Sequence, residues 1–216
     1  MPQIFSLRKF VISLTMFALV ALTSAMTAKA DGVTIDTGNH PQSDEENILL
    51  TGGDTGNPIF GVTNQTHVQV RFASTEDLLS PPQGQARIVA LDGTLQYLKI
   101  DVPGGSFSDL IFNINAFEDG EVHFVVTTNQ GVTEGTFAVD DNGENFFTIL
   151  ASGDTRILSV EMFSDVAVDI ENIDDVRQIR ISGVQGGTVV PEPTSMLLLG
   201  TGLLGAAGAA RRRFRK

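Results

Sequence analysis

His67-Val68-Gln69-Val70-Arg71-Phe72 is the stretch of this chain that most clearly decides its fold. Apolar and polar residues alternate along it, which is the period of a β-strand with one buried face. Val68, Val70 and Phe72 are therefore expected to point into a core, and the residues between them to solvent. The stretch predicts a strand of an antiparallel sheet that has one face in water.

The same pattern recurs on both sides of this stretch, with turn residues between the repeats. Residues 176–181 read Val-Arg-Gln-Ile-Arg-Ile, and Leu91-Asp92-Gly93-Thr94-Leu95 predicts a hairpin with a two-residue turn. No sustained helical period occurs between residues 31 and 190. We therefore predict an all-β domain over residues 31–185, a two-sheet antiparallel sandwich of the jelly-roll or lectin-like type.

The composition of this domain argues against several kinds of binding and catalysis. Residues 31–190 contain six basic and 25 acidic residues, a net charge of −19, which opposes binding to nucleic acid. The chain has no cysteine, so thiol catalysis and thiolate metal sites are excluded. It has no tryptophan and one tyrosine, Tyr97, so phenylalanine must supply the aromatic packing. Sugar-binding proteins commonly stack pyranose rings on Trp or Tyr, so this composition disfavours a polysaccharide hydrolase.

The first 30 residues have the organisation of a secretory signal peptide. Arg8-Lys9 is a basic start, Phe10–Leu22 is a short apolar run, and Ala28-Lys29-Ala30 is a small-x-small cleavage pattern. We expect an N-terminal signal helix, export by the Sec machinery and cleavage after Ala30. The alternative is an N-terminal anchor that is retained.

The last 26 residues form three blocks. Pro191-Glu192-Pro193 is biased toward extended backbone, residues 194–210 carry no charge, and Arg211-Arg212-Arg213-Phe214-Arg215-Lys216 is basic. The uncharged segment predicts a transmembrane-like helix, with the basic cluster held in the cytoplasm. Residues 186–190, which include Gly186-Gly187, are interpreted as a Gly-rich flexible spacer before this tail.

These three blocks, in this order and at the chain terminus, resemble the PEP-CTERM sorting signal of Gram-negative envelope proteins. The resemblance covers about residues 189–216 and assigns residues 191–216 to the signal. It implies processing by an exosortase, a membrane-embedded transpeptidase that would recognise Pro191, Glu192 and Pro193. It also implies a protein anchored transiently in the inner membrane and then placed in the cell envelope or outside the cell. The alternative is an ordinary C-terminal anchor.

Acidic residues near the end of the domain are candidate calcium ligands. Asp169, Asp174 and Asp175 flank the last two predicted strands, and calcium takes six to eight hard oxygen ligands in flexible geometry. This region resembles the closing strands of lectin-like jelly rolls, in which a late acidic residue holds a structural calcium. The alternative is a solvated acidic edge that discourages aggregation. We interpret a second acidic stretch, Asp140-Asp141-Asn142-Gly143-Glu144, as a turn.

The sequence supports no catalytic assignment. The histidines His40, His67 and His123 belong to no metal or nucleophile motif, and we expect a protein that is not an enzyme. The first hypothesis is a cell-envelope or extracellular-matrix protein, which the resemblance links to exopolysaccharide and biofilm. The alternative is a carbohydrate-binding module assisted by calcium. A polysaccharide hydrolase is the third hypothesis.

Overall fold

A computed structural model describes residues 32–50, 53–81, 86–141, 144–164 and 173–189. The predicted signal helix and transmembrane-like helix lie outside these ranges. Within them every regular element is a β-strand, and all strand pairs are antiparallel. The prediction of an all-β antiparallel domain is confirmed. The same ranges contain no helix with the length and apolar character that a membrane crossing requires.

Sixteen strands make up the described structure. In chain order they are β1 (Gly32–Thr37), β2 (Glu46–Leu50), β3 (Thr55–Gly56), β4 (Ile59–Thr63), β5 (Gln69–Ala73), β6 (Leu78–Leu79), β7 (Arg87–Ala90), β8 (Tyr97–Asp101), β9 (Gly105–Ser106), β10 (Asp109–Ala116), β11 (Gly120–Thr128), β12 (Val132–Val139), β13 (Asn145–Ser152), β14 (Ile157–Ser164), β15 (Ile173–Ser182) and β16 (Gln185–Gly186).

The main strands follow one continuous order, β1-β13-β10-β15-β2-β4-β5-β8-β14-β11-β12. Strand β2 makes this order continuous because it changes partner along its length. Glu46 and Asn47 pair with β15, and residues 48–50 pair with β4. The two separate sheets predicted from the sequence are therefore not confirmed. Alternating polarity predicts strands but says nothing about which strand pairs with which.

The stretch at residues 67–72 forms a strand that begins later than its pattern suggests. His67 has a φ of 55°, in the left-handed region, and β5 starts at Gln69. Val70 and Phe72 have no exposed surface, and Val68 is 5% exposed. The core face of the alternation is thus confirmed, while the left-handed turn at His67 shortens the strand.

The hairpin predicted at residues 91–95 is wrong. Strand β7 pairs with β6 and β15, and β8 pairs with β5 and β14, so the two strands that flank the turn are not partners. Leu95 is fully buried, and its backbone N–H donates to the carbonyl of Ile173. This burial draws the chain away from β7 before β8 begins.

Phenylalanine supplies the aromatic core, as composition predicts. Phe112 of β10 and Phe147 of β13 pack against Phe124 of β11 and Phe137 of β12. The ring centroids in these contacts lie 4.8–5.8 Å apart, within the range of favourable aromatic pairs. The two ends of the strand order are therefore joined through one apolar interior.

Candidate functional site

Most residues that the sequence assigns to sites lie outside the described ranges. They are the cleavage residues Ala28 and Ala30, the sorting motif Pro191, Glu192 and Pro193, and the calcium candidate Asp169. Asp174 and Asp175 are described, and both belong to β15. The structure therefore places two of the three calcium candidates.

Asp175 is engaged with arginine. Its side chain is fully buried, and its Oδ2 lies 2.8 Å from the guanidinium of Arg87. The Nε of Arg177 lies 3.7 Å from the Oδ1 of Asp175. Burial raises the pKa of Asp175, and the two arginines oppose that shift. The buried carboxylate of Asp175 would have to give up its contacts with these partly exposed arginines to bind a metal ion.

Asp174 lies next to Asp175 on the strand but has separate contacts. Its Oδ2 accepts a hydrogen bond of 2.6 Å from the side-chain amide of Asn115. The pairing of β10 with β15 is irregular at this point, and the charge of Asp174 adds to the rise in the pKa of Asp175, so the two carboxylates are close enough to interact. Because Asp169 lies outside the described ranges, the calcium prediction at this end of the domain stays a prediction.

Three other carboxylates do converge. Asp119, Asp140 and Asp141 each offer an oxygen within 4.8 Å of the others, and all three residues are exposed. The backbone N–H of Asp141 donates to the Oδ1 of Asp119 over 3.0 Å. Strand pairing of Gly120 with Val139 brings the two segments together. The sequence of residues 140–144 predicts a turn, and it gives no indication of Asp119, which is about twenty residues away along the chain.

An aromatic row crosses the solvent-facing side of β8, β14 and β11. Tyr97 stands opposite Phe163, and Phe163 stands opposite His123. The ring centroids are 5.0 Å apart in the first pair and 6.3 Å in the second. The Nδ1 of His123 lies 3.0 Å from the hydroxyl of Thr136 on β12, which ends the row. All three rings are partly exposed.

Ion pairs occupy the same face beside the aromatic row. Lys99, two residues after Tyr97 on β8, contacts Glu161 of β14 over 2.8 Å. Asp101, two residues after Lys99, makes a bidentate contact with Arg71 of β5 at 2.9 and 3.0 Å. The pairs lie on the same side as the rings because strand side chains repeat every second residue.

Tyr97 connects the rings to the ion pairs. Its hydroxyl donates to the Oε2 of Glu161 over 3.1 Å. Burial raises the pKa of Tyr97 to about 12, and the negative charge of Glu161 adds to the rise. The phenol therefore stays neutral at physiological pH and remains a hydrogen-bond donor. The sequence shows that Tyr97 is the only tyrosine, but no local pattern indicates that Phe163 and His123 lie beside it.

The chain leaves the domain along a docked segment, residues 185–189, which we call the exit strand. Gln185 and Gly186 pair with β9, and Val189 bridges to Val68. The carbonyl of Thr188 accepts a 2.9 Å hydrogen bond from the N–H of Gln69. The flexible spacer expected at residues 186–190 is thus bonded to the domain through Val189. Its glycines allow tight turns and a close approach to the rest of the domain, and they do not mark a flexible linker here.

Comparison with known protein families matches the C-terminal end of the sequence. Residues 189–213 match the family model for the PEP-CTERM protein-sorting motif. A comparison with curated proteins finds no relative of the chain.

The solved structures found by comparison include two carbohydrate-binding modules. A family 29 carbohydrate binding module from Piromyces equi is 12% identical, with a TM-score of 0.28, and the match covers 73% of this chain and 93% of that one. CBM35 of Abf62 from Cellvibrio japonicus is 12% identical with a TM-score of 0.27, over 74% and 100% of the two chains. These scores are too low to establish a common fold. What the comparisons do establish is at the C-terminus: the chain carries a PEP-CTERM protein-sorting signal at residues 189–213.

Proposed function

We propose that this protein is exported and is sorted to the cell envelope or the extracellular matrix through its C-terminal signal. The carrying observation is the match of residues 189–213 to the PEP-CTERM protein-sorting motif. In this proposal the Sec machinery exports the chain and the C-terminal segment holds it in the inner membrane. An exosortase-type enzyme then processes it near Pro191, Glu192 and Pro193.

The exit strand ends two residues before the sorting motif. Val189 is paired with Val68 yet is 59% exposed, and Pro191 follows two residues later in the sequence. In this proposal the processing enzyme therefore acts within a few residues of the last contact that the structure describes.

In this proposal the domain acts outside the cytoplasm and is not an enzyme. It carries a net charge of −19 and no cysteine, so it is highly charged and needs no disulfide chemistry outside the cytoplasm. The rings of β10 and β13 pack on those of β11 and β12. This packing supports the two-layer, jelly-roll or lectin-like arrangement that the sequence predicts.

Intact-mass analysis of the protein from its native host, combined with cell fractionation, tests the proposal. We expect a chain that begins at Asp31, lacks Arg211–Lys216 and lies in the envelope or the medium. Replacing Pro191, Glu192 and Pro193 together by alanine should retain the basic tail and hold the protein in the inner membrane. A cytoplasmic protein with both ends intact would contradict the proposal.

A second candidate function is carbohydrate binding, with calcium as a possible structural ion. The observation that favours it is the partly exposed row of Tyr97, Phe163 and His123 beside hydrogen-bonding side chains. In this candidate the polysaccharide outside the cell is the partner. The exposed carboxylates of Asp119, Asp140 and Asp141 provide the oxygen ligands that calcium prefers.

A further inference from the structure

We propose that the outer face of β8, β14 and β11 binds a neutral polysaccharide, with pyranose rings stacked on Tyr97 and Phe163. The inference rests on the proposed export, which would bring the domain into contact with such a polymer. It assigns the ligand class and the residues that hold it. We call this surface the ring face, defined by Tyr97, Phe163, His123 and the ion pairs Lys99–Glu161 and Arg71–Asp101.

The aromatic row gives the ring face an apolar, elongated contact surface. Tyr97, Phe163 and His123 lie on three neighbouring strands and continue to Thr136 on a fourth. Four strands spaced by about 4.8 Å span roughly 14 Å, which is enough for more than one sugar ring. The C–H groups on one side of a pyranose ring are apolar and carry partial positive charge. They are therefore attracted to the negative face of an aromatic ring.

The ion pairs supply the polar part of recognition. Arg71 and Asp101 hold each other by two hydrogen bonds, and Lys99 and Glu161 by one. These contacts fix the side chains before a ligand arrives, which lowers the entropy cost of binding. Carboxylate oxygens accept from sugar hydroxyls, and the cationic groups donate to them. Arg71, Lys99 and Glu161 are partly exposed and offer both kinds of partner next to the rings, whereas the buried Asp101 holds Arg71 in place.

Charge selects a neutral polymer over an acidic one. The two cations and two anions of the ion pairs cancel on the ring face, and Glu134, which is 60% exposed and lies 3.9 Å from His123, adds a negative charge at its edge. Residues 31–190 as a whole carry a net charge of −19. A polyuronate would meet this negative field with no local excess of cation to offset it. A cationic partner would be attracted to the acidic remainder of the domain and would have no reason to prefer the ring face.

A cleft on another surface is the strongest competing site. It has a volume of about 440 Å³ and is lined by Phe146, Arg180, Glu45 and three amide side chains. Arg180 contacts Glu45 over 2.8 Å and Asn39 over 2.6 Å. It offers one phenylalanine ring where the ring face offers a row of three. Phe146 is, like Phe163, a partly exposed phenylalanine, and it therefore provides a matched control.

The single tyrosine makes the binding test direct. Tyr97 is the only tyrosine and the chain has no tryptophan, so intrinsic tyrosine fluorescence reports on the ring face alone. The mature protein, purified from its native host, would be titrated with the neutral and the acidic fractions of that host's extracellular polysaccharide. We expect the neutral fraction to change the tyrosine emission in a saturable way. The acidic fraction should cause little change at equal mass concentration.

Substitutions then separate stacking from folding. Phe163→Leu keeps apolar volume but removes the flat ring, and we expect at least about tenfold weaker binding in affinity electrophoresis. Tyr97→Ala should weaken binding at least as much, while Tyr97→Phe should retain most of it because the ring remains. Phe146→Leu is the control and should bind like the unchanged protein. Thermal denaturation of each variant identifies any that do not fold, and Phe163→Leu remains decisive if Tyr97→Ala is one of them.

Three results would overturn the inference. They are unchanged binding by Phe163→Leu, loss of binding by Phe146→Leu alone, and the absence of binding to the neutral fraction. Dimerisation that Phe163→Leu abolishes would instead show that a second copy of the chain covers the ring face. A failure of sorting would leave these measurements unaffected, because they use purified protein. The inference and the proposed function can therefore fail independently.

Discussion

Asp109 is a buried carboxyl whose protonation should affect stability. It is 2% exposed, its Oδ2 accepts a hydrogen bond from the hydroxyl of Ser182, and its Oδ1 has no partner among the described residues. Burial raises the pKa of Asp109 above its ordinary value of 3.8, against the lowering effect of Ser182. The folded protein therefore retains a proton at pH values where the unfolded chain has released it. The stability gained from that proton is complete below the unfolded pKa and is lost as the pH rises through the folded one.

Asp109→Asn should consequently raise the melting temperature at pH 7, because the amide carries no charge to desolvate. The gain should shrink at pH 3, where the carboxyl of the unchanged protein is also neutral. Thermal denaturation monitored by circular dichroism at both pH values measures the difference. Asp36→Asn, at an exposed position of β1, is the matched control and should show no such dependence. An equal shift at the two pH values would show that charge is not the cause.

Tyr97 should ionise only at high pH. Because burial and the charge of Glu161 raise its pKa to about 12, ultraviolet titration of the phenol should show a midpoint clearly above the ordinary value of 10.0. Glu161→Gln should lower the midpoint, since the neighbouring negative charge is removed. The raised pKa stabilises the fold below pH 10.0, and that contribution disappears as the pH passes about 12. A midpoint near 10.0 in the unchanged, folded protein would contradict the contact with Glu161.

For individual strands, the sequence predicts which side chains are buried better than it predicts which strands pair with each other. The alternation in residues 67–72 correctly buries Val70 and Phe72, and in β11 the half-buried His123 lies between the buried Val122 and Phe124. Nothing in either pattern says that His123 stands beside Phe163. That neighbourhood follows from the register of β11 and β14, which is decided by how the whole set of strands closes around the phenylalanine core. The candidate site was therefore out of reach of local patterns.

The same limit explains the exit strand. Gly186 and Gly187 are typical of a linker in sequence, but both have positive φ and lie against other backbone or side chains. A Cβ atom at Gly187 would lie 2.7 Å from Val102 and 2.8 Å from Val68. The glycine is thus required for close approach. This requirement becomes visible only when the residues it approaches are in place.

Gly187→Ala should therefore loosen the exit strand. We expect a loss of about 1–3 kcal/mol in the free energy of unfolding, from the strained φ of 83° and the crowding against Val68 and Val102. Urea denaturation measures the loss, and limited proteolysis should cut the variant sooner near its C-terminus. Gly32→Ala is the matched control, because a Cβ there has no neighbour within 4 Å and its φ is not positive. Equal stability of the two variants would show that residues 185–189 are not docked.

At the scale of the whole domain, the aromatic row and the exit strand lie toward opposite ends of β8, whereas the Arg71–Asp101 pair of the ring face lies at the end nearer the exit strand. Tyr97 begins that strand and Asp101 ends it, and beyond Asp101 the carbonyl of Gly104 accepts a hydrogen bond from Gly187. Four residues of extended strand separate Tyr97 from Asp101 by about 13 Å. A tether that continues from Val189 would thus leave the aromatic row at the far end of its strands. The last described residue, Val189, and the rings that we propose to bind polysaccharide therefore lie apart.

The high net charge of the domain also determines which controls a test of calcium binding needs. With a net charge of −19 over residues 31–190, any divalent cation will reduce self-repulsion of the folded domain without occupying a site. Only an ion bound specifically to the native state stabilises it in proportion to its own concentration and affinity. If calcium is structural, a chelator should lower the melting temperature by several degrees. Added calcium should restore it, whereas magnesium at equal ionic strength should not.

Two substitutions decide where such a calcium ion binds. If it is held by Asp119, Asp140 and Asp141, Asp119→Asn should abolish the effect of the chelator, because these carboxylates lie within 4.8 Å of one another. If the sequence-based assignment to Asp169, Asp174 and Asp175 is right, Asp174→Asn should abolish it instead. Asp36→Asn, which removes one exposed charge elsewhere, should leave the effect intact. A melting temperature that the chelator does not change in the unchanged protein would contradict a structural calcium at either place.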